Sequence, residues 1–268
     1  MQIHTLGSGS TGNCALISAG QGCSQTVICL DAGLALRTAR GYAEELGFSM
    51  SRLDAVLLSH RHSDHSTNIV ATAARAKAPL YMHEDNINAN SKLQQSELNR
   101  RSIDWRKIKD GLTFQVNDVA VTAIEVEHDA VPTFGFVFEY QEYRCGFFTD
   151  LGNCDNLIAN GVLADLDELV LESNYDPQML ANGPYPQALK QRVSARHGHL
   201  SNQQAAAAIA DGATSRLKKL TLAHLSQKNN APIIARECML ETLAACGLEQ
   251  VELHTAPARG PLSPTRCI

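Results

Sequence analysis

Four side chains able to hold a metal fall within six residues, His60-Arg61-His62-Ser63-Asp64-His65, directly after the apolar run Val56-Leu57-Leu58. A run of that length reads as a buried strand, so these groups stand where a strand leaves the core. In an extended or tightly turning segment, residues two apart point the same way, and His60 and His62 can grip one ion together. Asp64 and His65 follow as the chain turns toward a helix, and they face a second point. One segment thus offers two neighbouring positions with mixed nitrogen and oxygen donors, which suit Zn, Mn or Fe rather than an all-oxygen Ca or Mg cage. A solvated, incidentally His-rich loop is the weaker reading, because three of the ten histidines are packed here behind a buried strand.

Further polar residues end later strand-like runs. His128 follows the alternating segment 119–127, Asp150 follows Cys145-Gly146-Phe147-Phe148-Thr149, Glu172 ends an apolar run that starts at Glu168, and His224 ends Leu220-Thr221-Leu222-Ala223. Alone, each fits a cap or a surface residue. Beside the first cluster, His128 offers a further nitrogen and Asp150 a carboxylate able to bridge two ions. Upstream, Gly7-Ser8-Gly9-Ser10-Thr11-Gly12-Asn13-Cys14 is either a flexible phosphate-facing rim or a hairpin turn. The turn is favoured, since Cys14-Ala15-Leu16-Ile17 resumes a strand and the lysine of a P-loop is missing. Asp31, just past the strand 26–30, fits a cap, and also a support for the histidine loop from behind.

Helices are expected over 34–46, 69–76, 155–164, 201–212 and 231–246, with Ser201 and Gln204 forming a capping box. Residues 112–148 alternate as an antiparallel meander. Residues 175–195 carry Pro177, Pro184 and Pro186 and read as irregular, His83 reads as a packing or surface residue, and the tail beyond 254 reads as loose. Strands followed by helices occur in two halves, and candidate ligands recur at strand ends of both. That places the site where the halves meet.

With 268 residues, 44% of them apolar and 19% charged, the chain can bury a large core. A formal charge of −5 argues against a general polyanion-binding surface. The basic run Arg100, Arg101, Arg106, Lys107 and Lys109 is a solvated face or, alternatively, a surface for an anionic substrate. No eighteen-residue apolar run appears, so no membrane span is expected. The first residues show no basic region followed by a long apolar one, so a secretory signal is not expected. Eight cysteines without a C-x-x-C pair suggest reduced thiols in a cytoplasmic protein.

The string His60-x-His62-x-Asp64-His65, followed by His128, Asp150 and His224, resembles the metallo-β-lactamase fold superfamily over nearly the whole chain. Within it, the Gly7 to Cys14 loop, Gly198-His199-Leu200-Ser201-Asn202 and His224-Leu225-Ser226 resemble the YycJ/WalJ-type group, relatives of ribonuclease Z. The resemblance implies an α/β fold, a four-layer αββα sandwich with the site at one edge, in a single domain over 1–268 with no inserted nuclease domain. It also implies the division of ligands: His60, His62 and His128 on one metal, Asp64, His65 and His224 on the other, and Asp150 bridging. Two divalent ions are implied, Zn or Mn first and Fe third, with a metal-held hydroxide as nucleophile that Asp64 helps orient. Carried over from ribonuclease Z, His199 would be a general acid oriented by Glu172. Glu172 is followed by Ser173-Asn174 where that relative has Ala-Thr, and no tRNA-clamping arm is evident, so a strict tRNA 3′-processing role is not expected.

Asn13, Ser226, Asn229 and Asn230, with the start of the helix at 231, are candidate phosphate contacts. The expected activity is therefore phosphodiester hydrolysis, with an exonuclease acting on DNA ahead of RNA. The alternatives are a phosphodiesterase for a small cyclic nucleotide or sugar phosphate, and a thioester- or lactam-type acyl hydrolase or a non-catalytic metal-binding module.

Overall fold

The computed structural model describes residues 1–87, 93–130 and 132–262. Side chains alternate along each strand between two interiors, and that alternation dictates the layers. In β4 (Ala55–Leu57), Ala55 and Leu57 face a core between two sheets, while Val56 and the following Leu58 face an outer core under helices. In β9 (Thr133–Tyr140), Phe134, Phe136 and Phe138 enter the same inter-sheet core, and Val137 faces outward. A strand buried on both faces needs a second sheet on one side and helices on the other.

The first sheet has six strands in the order β1 (Gln2–Gly7), β2 (Cys14–Ala19), β3 (Thr26–Leu30), β4, β5 (Leu80–Met82) and β6 (Trp105–Lys107). The pairs β1–β2 and β2–β3 are antiparallel, so the glycine-rich loop is the hairpin turn favoured above, and the pairs from β3 to β6 are parallel. The second sheet runs β13 (Glu252–Thr255), β12 (Lys219–Ala223), β11 (Glu168–Glu172), β10 (Tyr143–Phe148), β9, β8 (Val119–Val126) and β7 (Thr113–Val116). It too has an antiparallel part, β7 to β10, and a parallel part, β10 to β13. Helices α1 (Leu36–Glu45), α2 (Ser63–Ser66), α3 (Ile69–Ala76) and α4 (Gln95–Arg100) belong to the first half. The second half carries α5 (Asp155–Ala159), α6 (Pro177–Asn182), α7 (Gln187–Val193), α8 (Asn202–Gly212) and α9 (Pro232–Ala245). The result is the four-layer αββα sandwich, with α1 and α3 over one sheet and α5, α8 and α9 over the other.

Three expectations change. The helix expected over 155–164 stops at Ala159, and a 3₁₀ turn, Leu163–Asp165, follows. Residues 175–195 are not irregular: Asp176 caps α6 by accepting from the Met179 N–H, with Pro177 in its first turn, and Pro186 opens α7. Proline suits the N-cap of α7 and the first turn of α6 because the N–H it lacks has no helical partner to lose there. The tail is tied down as far as Leu262, through Gly260 N–H to Leu6 O and Leu262 N–H to Thr5 O; residues 263–268 lie outside the described residues. The capping box of Ser201 and Gln204 forms as expected. Among the described residues no helix is long and apolar enough to cross a membrane.

The phenylalanines of β9 hold the two sheets together, and Phe136 is fully buried. Phe136→Ala should therefore cost about 3–5 kcal/mol of stability in urea unfolding. A cost below about 1 kcal/mol would show that the inter-sheet core is not packed as described.

Candidate metal centre

Parallel strands place their carboxyl ends along one edge, where loops are free to carry polar groups. After β4 the chain delivers His60, His62, Asp64 and His65 through a turn into α2; β8 ends before His128, β10 before Asp150 and β12 before His224. All seven residues expected as ligands converge. The ligating atoms of His60, His62 and His128 lie within 4.8 Å of one another, and so do those of Asp64, His65 and His224. Asp150 stands between the groups, its Oδ2 3.1 Å from His65 Nε2 and its Oδ1 3.8 Å from His128 Nε2. Its Oδ1 is also 3.6 Å from His224 Nδ1.

The rings are aimed from behind. His60 Nδ1 meets the Ser59 hydroxyl at 3.0 Å, and that hydroxyl donates to Asp31. His65 Nδ1 donates to Asp31 Oδ2 at 2.7 Å, His128 Nδ1 to the Gly198 carbonyl at 3.0 Å, and His224 Nδ1 to Glu172 Oε2 at 3.0 Å. With Nδ1 engaged backward, each ring presents Nε2 forward, and the partner sets the tautomer. The forward atoms His60 Nε2, His128 Nε2 and His224 Nε2 are buried and lack a hydrogen-bond partner. Leaving such atoms unmet costs about 1–3 kcal/mol each, so their convergence fits a bound cation. The donor set of imidazole and carboxylate suits Zn, Mn or Fe.

Electrostatics divide the groups. Burial pushes His60 well below the usual imidazole range and also lowers His62 and His128, which keeps all three neutral and competent to bind metal. Burial opposes protonation of His65 and His224 as well, but adjacent carboxylates, Asp150 foremost, outweigh it and raise both. Burial likewise opposes ionising Asp150, yet His224 and His65 hold its carboxyl well below the carboxylate range.

Backbone strain marks the same edge. Asp31, Asp150 and His224 adopt φ of 58°, 59° and 55°, a left-handed conformation uncommon outside glycine and costly unless the surroundings enforce it. At Gly33 a Cβ would come within 1.5 Å of the Asp64 carbonyl oxygen. Only a glycine lets the β3 loop lie against α2 and hold Asp64 in place.

Glu172 and His199 also meet. The Glu172 carboxylate is fully buried; Oε1 accepts from His199 Nδ1 at 3.0 Å and from the Leu200 N–H, and Oε2 accepts from His224 Nδ1 and the Asp150 N–H. Burial works against charge on His199, but Glu172 and Asp150 outweigh it and raise its pKa to about 9. A cavity of about 220 Å³ opens over this edge, with His62, Asp64, Asp150, His199, His224 and Ser226 among its lining residues. A larger groove of about 1210 Å³ lies at the opposite ends of β10, β11 and β12 and is lined by Arg144, Asp165, Asp167, Arg216 and Lys218, which pair with one another.

Of the four expected phosphate contacts, Ser226 alone lines the cavity. Asn13 is buried, donates to Asp64 Oδ2 at 3.2 Å, lies 2.8 Å from His65 Nε2 and accepts from the Gly9 N–H. Asn229 is buried near α6, and Asn230 is spent on the Ser173 and Asn174 carbonyls, Asn202 and the Ala231 N–H. None of these three asparagines lines the cavity. Four of the five residues of the basic run are paired locally: Arg100 and Arg101 share Glu97, Arg106 meets Asp104, and Lys107 meets Glu84. None of these residues lines the cavity.

Sequence reading missed two contributors, Ser59 and Asp129, and part of the role of Glu172. Ser59 links His60 to Asp31, and its place directly before the first ligand was the available signal. Asp129, beside His128 in the chain, brings Oδ1 within 3.4 Å of His62 Nε2 and 3.3 Å of His128 Nε2. Glu172 supports His224 and Asp150 as well as His199, which no spacing could reveal.

The family description "Beta-lactamase superfamily domain" matches residues 26–225. The chain is 29% identical over 264 residues to Exodeoxyribonuclease YycJ of Bacillus anthracis, covering 97% of each. It is 31% identical over 246 residues to Exodeoxyribonuclease WalJ of Streptococcus pneumoniae, covering 91% of this chain and 88% of that relative. Among solved structures it is similar to the metallo-beta-lactamase fold protein YhfI of Bacillus subtilis, with a TM-score of 0.72 at 17% identity over 97% of this chain and 98% of that one. Matched over most of its length by family and relatives, and built as the same layered sandwich, this chain belongs to the metallo-β-lactamase superfamily.

Proposed function

We propose that this hydrolase cleaves phosphodiester bonds as an exonuclease on DNA, acting as one domain over 1–268 in the cytoplasm. The observation that carries the reading is the pairing of His199 with Glu172 beside two converging ligand groups in one cavity. The exodeoxyribonuclease names of two relatives that span nearly the whole chain support DNA ahead of RNA. His60, His62 and His128 would hold one ion, Asp64, His65 and His224 a second, and Asp150 would face both. When bound, two divalent ions (Zn or Mn, then Fe) supply Lewis acidity that brings the pKa of water toward about 7 and offsets charge building on phosphoryl oxygens.

The protein's own groups supply the rest. Asp64 stands at the cavity wall, about a quarter exposed, where its carboxylate can orient an attacking water. His199, with its pKa raised to about 9, carries its proton at neutral pH. Glu172 occupies Nδ1, so Nε2 is the nitrogen with a proton to give to the departing oxygen. A positioned general acid of this kind contributes on the order of 10²–10⁴ in rate. Ser226 also lines the cavity, where its hydroxyl can meet a phosphoryl oxygen.

A second reading, hydrolysis of a small cyclic nucleotide or sugar phosphate, draws on the small cavity and the formal charge of −5. End-labelled single- and double-stranded DNA, RNA and bis(p-nitrophenyl) phosphate separate the two. The nuclease reading expects nucleotides released from a DNA end, and cleavage of the small ester alone would overturn it. His62→Ala should lose on the order of 100-fold or more on every substrate, and chelation followed by Mn or Zn should abolish and restore activity. His199→Ala should lose about 10²–10⁴ on DNA but less than about tenfold on the p-nitrophenyl ester, whose leaving group needs no proton. Equal losses on both would remove the general-acid role.

A further inference from the structure

The chain between Glu172 and His199 folds into α6 and α7 and walls one side of the cavity with Tyr185, Leu189 and Arg192. Tyr185 and Leu189 are half-buried and backed by Tyr175, Leu180 and Val193, so the wall is a packed surface rather than a free loop. Arg192 is the sole lysine or arginine among the described residues that line this cavity. Its side chain is 62% exposed, and its Nε donates to Asp129 Oδ2 at 2.6 Å. The other oxygen of Asp129 faces His62 and His128. Only one edge of the guanidinium is engaged, and an exposed ion pair of this kind is weak. A phosphate can therefore share or take the guanidinium, whose planar fork matches phosphate oxygens.

The cavity's size completes the argument. At about 220 Å³ it falls below the roughly 300–1,000 Å³ of pockets that enclose a whole small ligand. A nucleotide whose phosphate reaches the ligand groups must rest the remainder of its bulk on the rim. An aromatic ring on that rim accepts any base, because every base has a π face.

We propose that Tyr185 and Arg192 form the subsite for the nucleotide next to the scissile phosphate, Tyr185 stacking on its base and Arg192 leaving Asp129 to hold a backbone phosphate. The subsite rests on the nuclease reading above and names where the polymer is gripped. Asp129 then parks the guanidinium at the mouth when no phosphate is present.

The test compares kcat/KM on an end-labelled oligodeoxynucleotide with that on methyl p-nitrophenyl phosphate, which has no base to stack. Metal content is measured on each protein. In Arg192→Ala and Tyr185→Leu the ratio of oligonucleotide to small-ester kcat/KM should fall roughly tenfold or more, mainly through KM. Tyr185→Phe should restore the ratio. The dependence of log KM on log salt should lose about one unit of slope in Arg192→Ala but not in Tyr185→Leu. Equal losses on both substrates in folded, metal-loaded variants would mean that the wall merely props the His62 side through Asp129, and would overturn the proposal. So would variants that lose nothing on either substrate while the wild type degrades the oligonucleotide. A wild type that cleaves only the small ester overturns the nuclease reading itself, and the subsite with it.

Discussion

Asp31 and Glu172 are carboxylates taken almost wholly out of water, at 2% and 0% exposure. Burying a charge costs several kcal/mol unless bonds replace its hydration. Asp31 collects the Ser59 N–H, the Ser59 hydroxyl and His65 Nδ1; Glu172 collects His199, His224 and the N–H groups of Asp150 and Leu200. One carboxylate follows β3 of the first sheet and the other ends β11 of the second. Each converts the rigidity of its own sheet into the aim of imidazole rings. The ligand atoms lie close because two sheets, packed through Phe134, Phe136 and Phe138, bring these two braces to one edge.

That arrangement explains why buried acceptors and strained backbone are tolerated there. Asp31, Asp150 and His224 hold left-handed φ values at strand ends, and each is fixed by hydrogen bonds on both sides of the bend. The fold offsets the strain with packing elsewhere, as expected where precise placement of a few atoms matters more than local comfort.

Much of this was legible in the residues. The apolar run at β4 announced a buried strand and the alternation in β8 and β9 a meander, and the spacing of His60, His62, Asp64 and His65 announced side chains that gather at one edge. Capping chemistry located α8 through Ser201 and Gln204. What escaped were contacts made only in three dimensions. Nothing near Glu172 in the chain tells that its second oxygen serves His224, 52 positions later. Asn13, Asn229 and Asn230 looked available because asparagines at loops and helix starts commonly are, yet Asn13 and Asn230 commit their amides to internal partners, and Asn229 is buried and does not line the cavity. The prolines of 175–195 suggested irregularity, although Pro177 and Pro186 stand where proline starts helices. Charge was misleading in the same way. The basic run near residue 100 is largely paired with Glu97, Asp104 and Glu84 and does not line the cavity, while a single arginine in an inconspicuous stretch reaches it.

The central claim is that buried, backward-braced imidazoles and Asp150 converge on two cation positions. Metal content per chain, measured by elemental mass spectrometry after loading with Zn or Mn and removal of excess, tests it most directly. Two equivalents should bind to the wild-type chain, and Asp31→Ala, which touches no forward-facing atom, should lower that occupancy by loosening His65 and Ser59. A wild-type chain that retains no metal, or one that binds the same amount with Asp31 removed, would contradict the account.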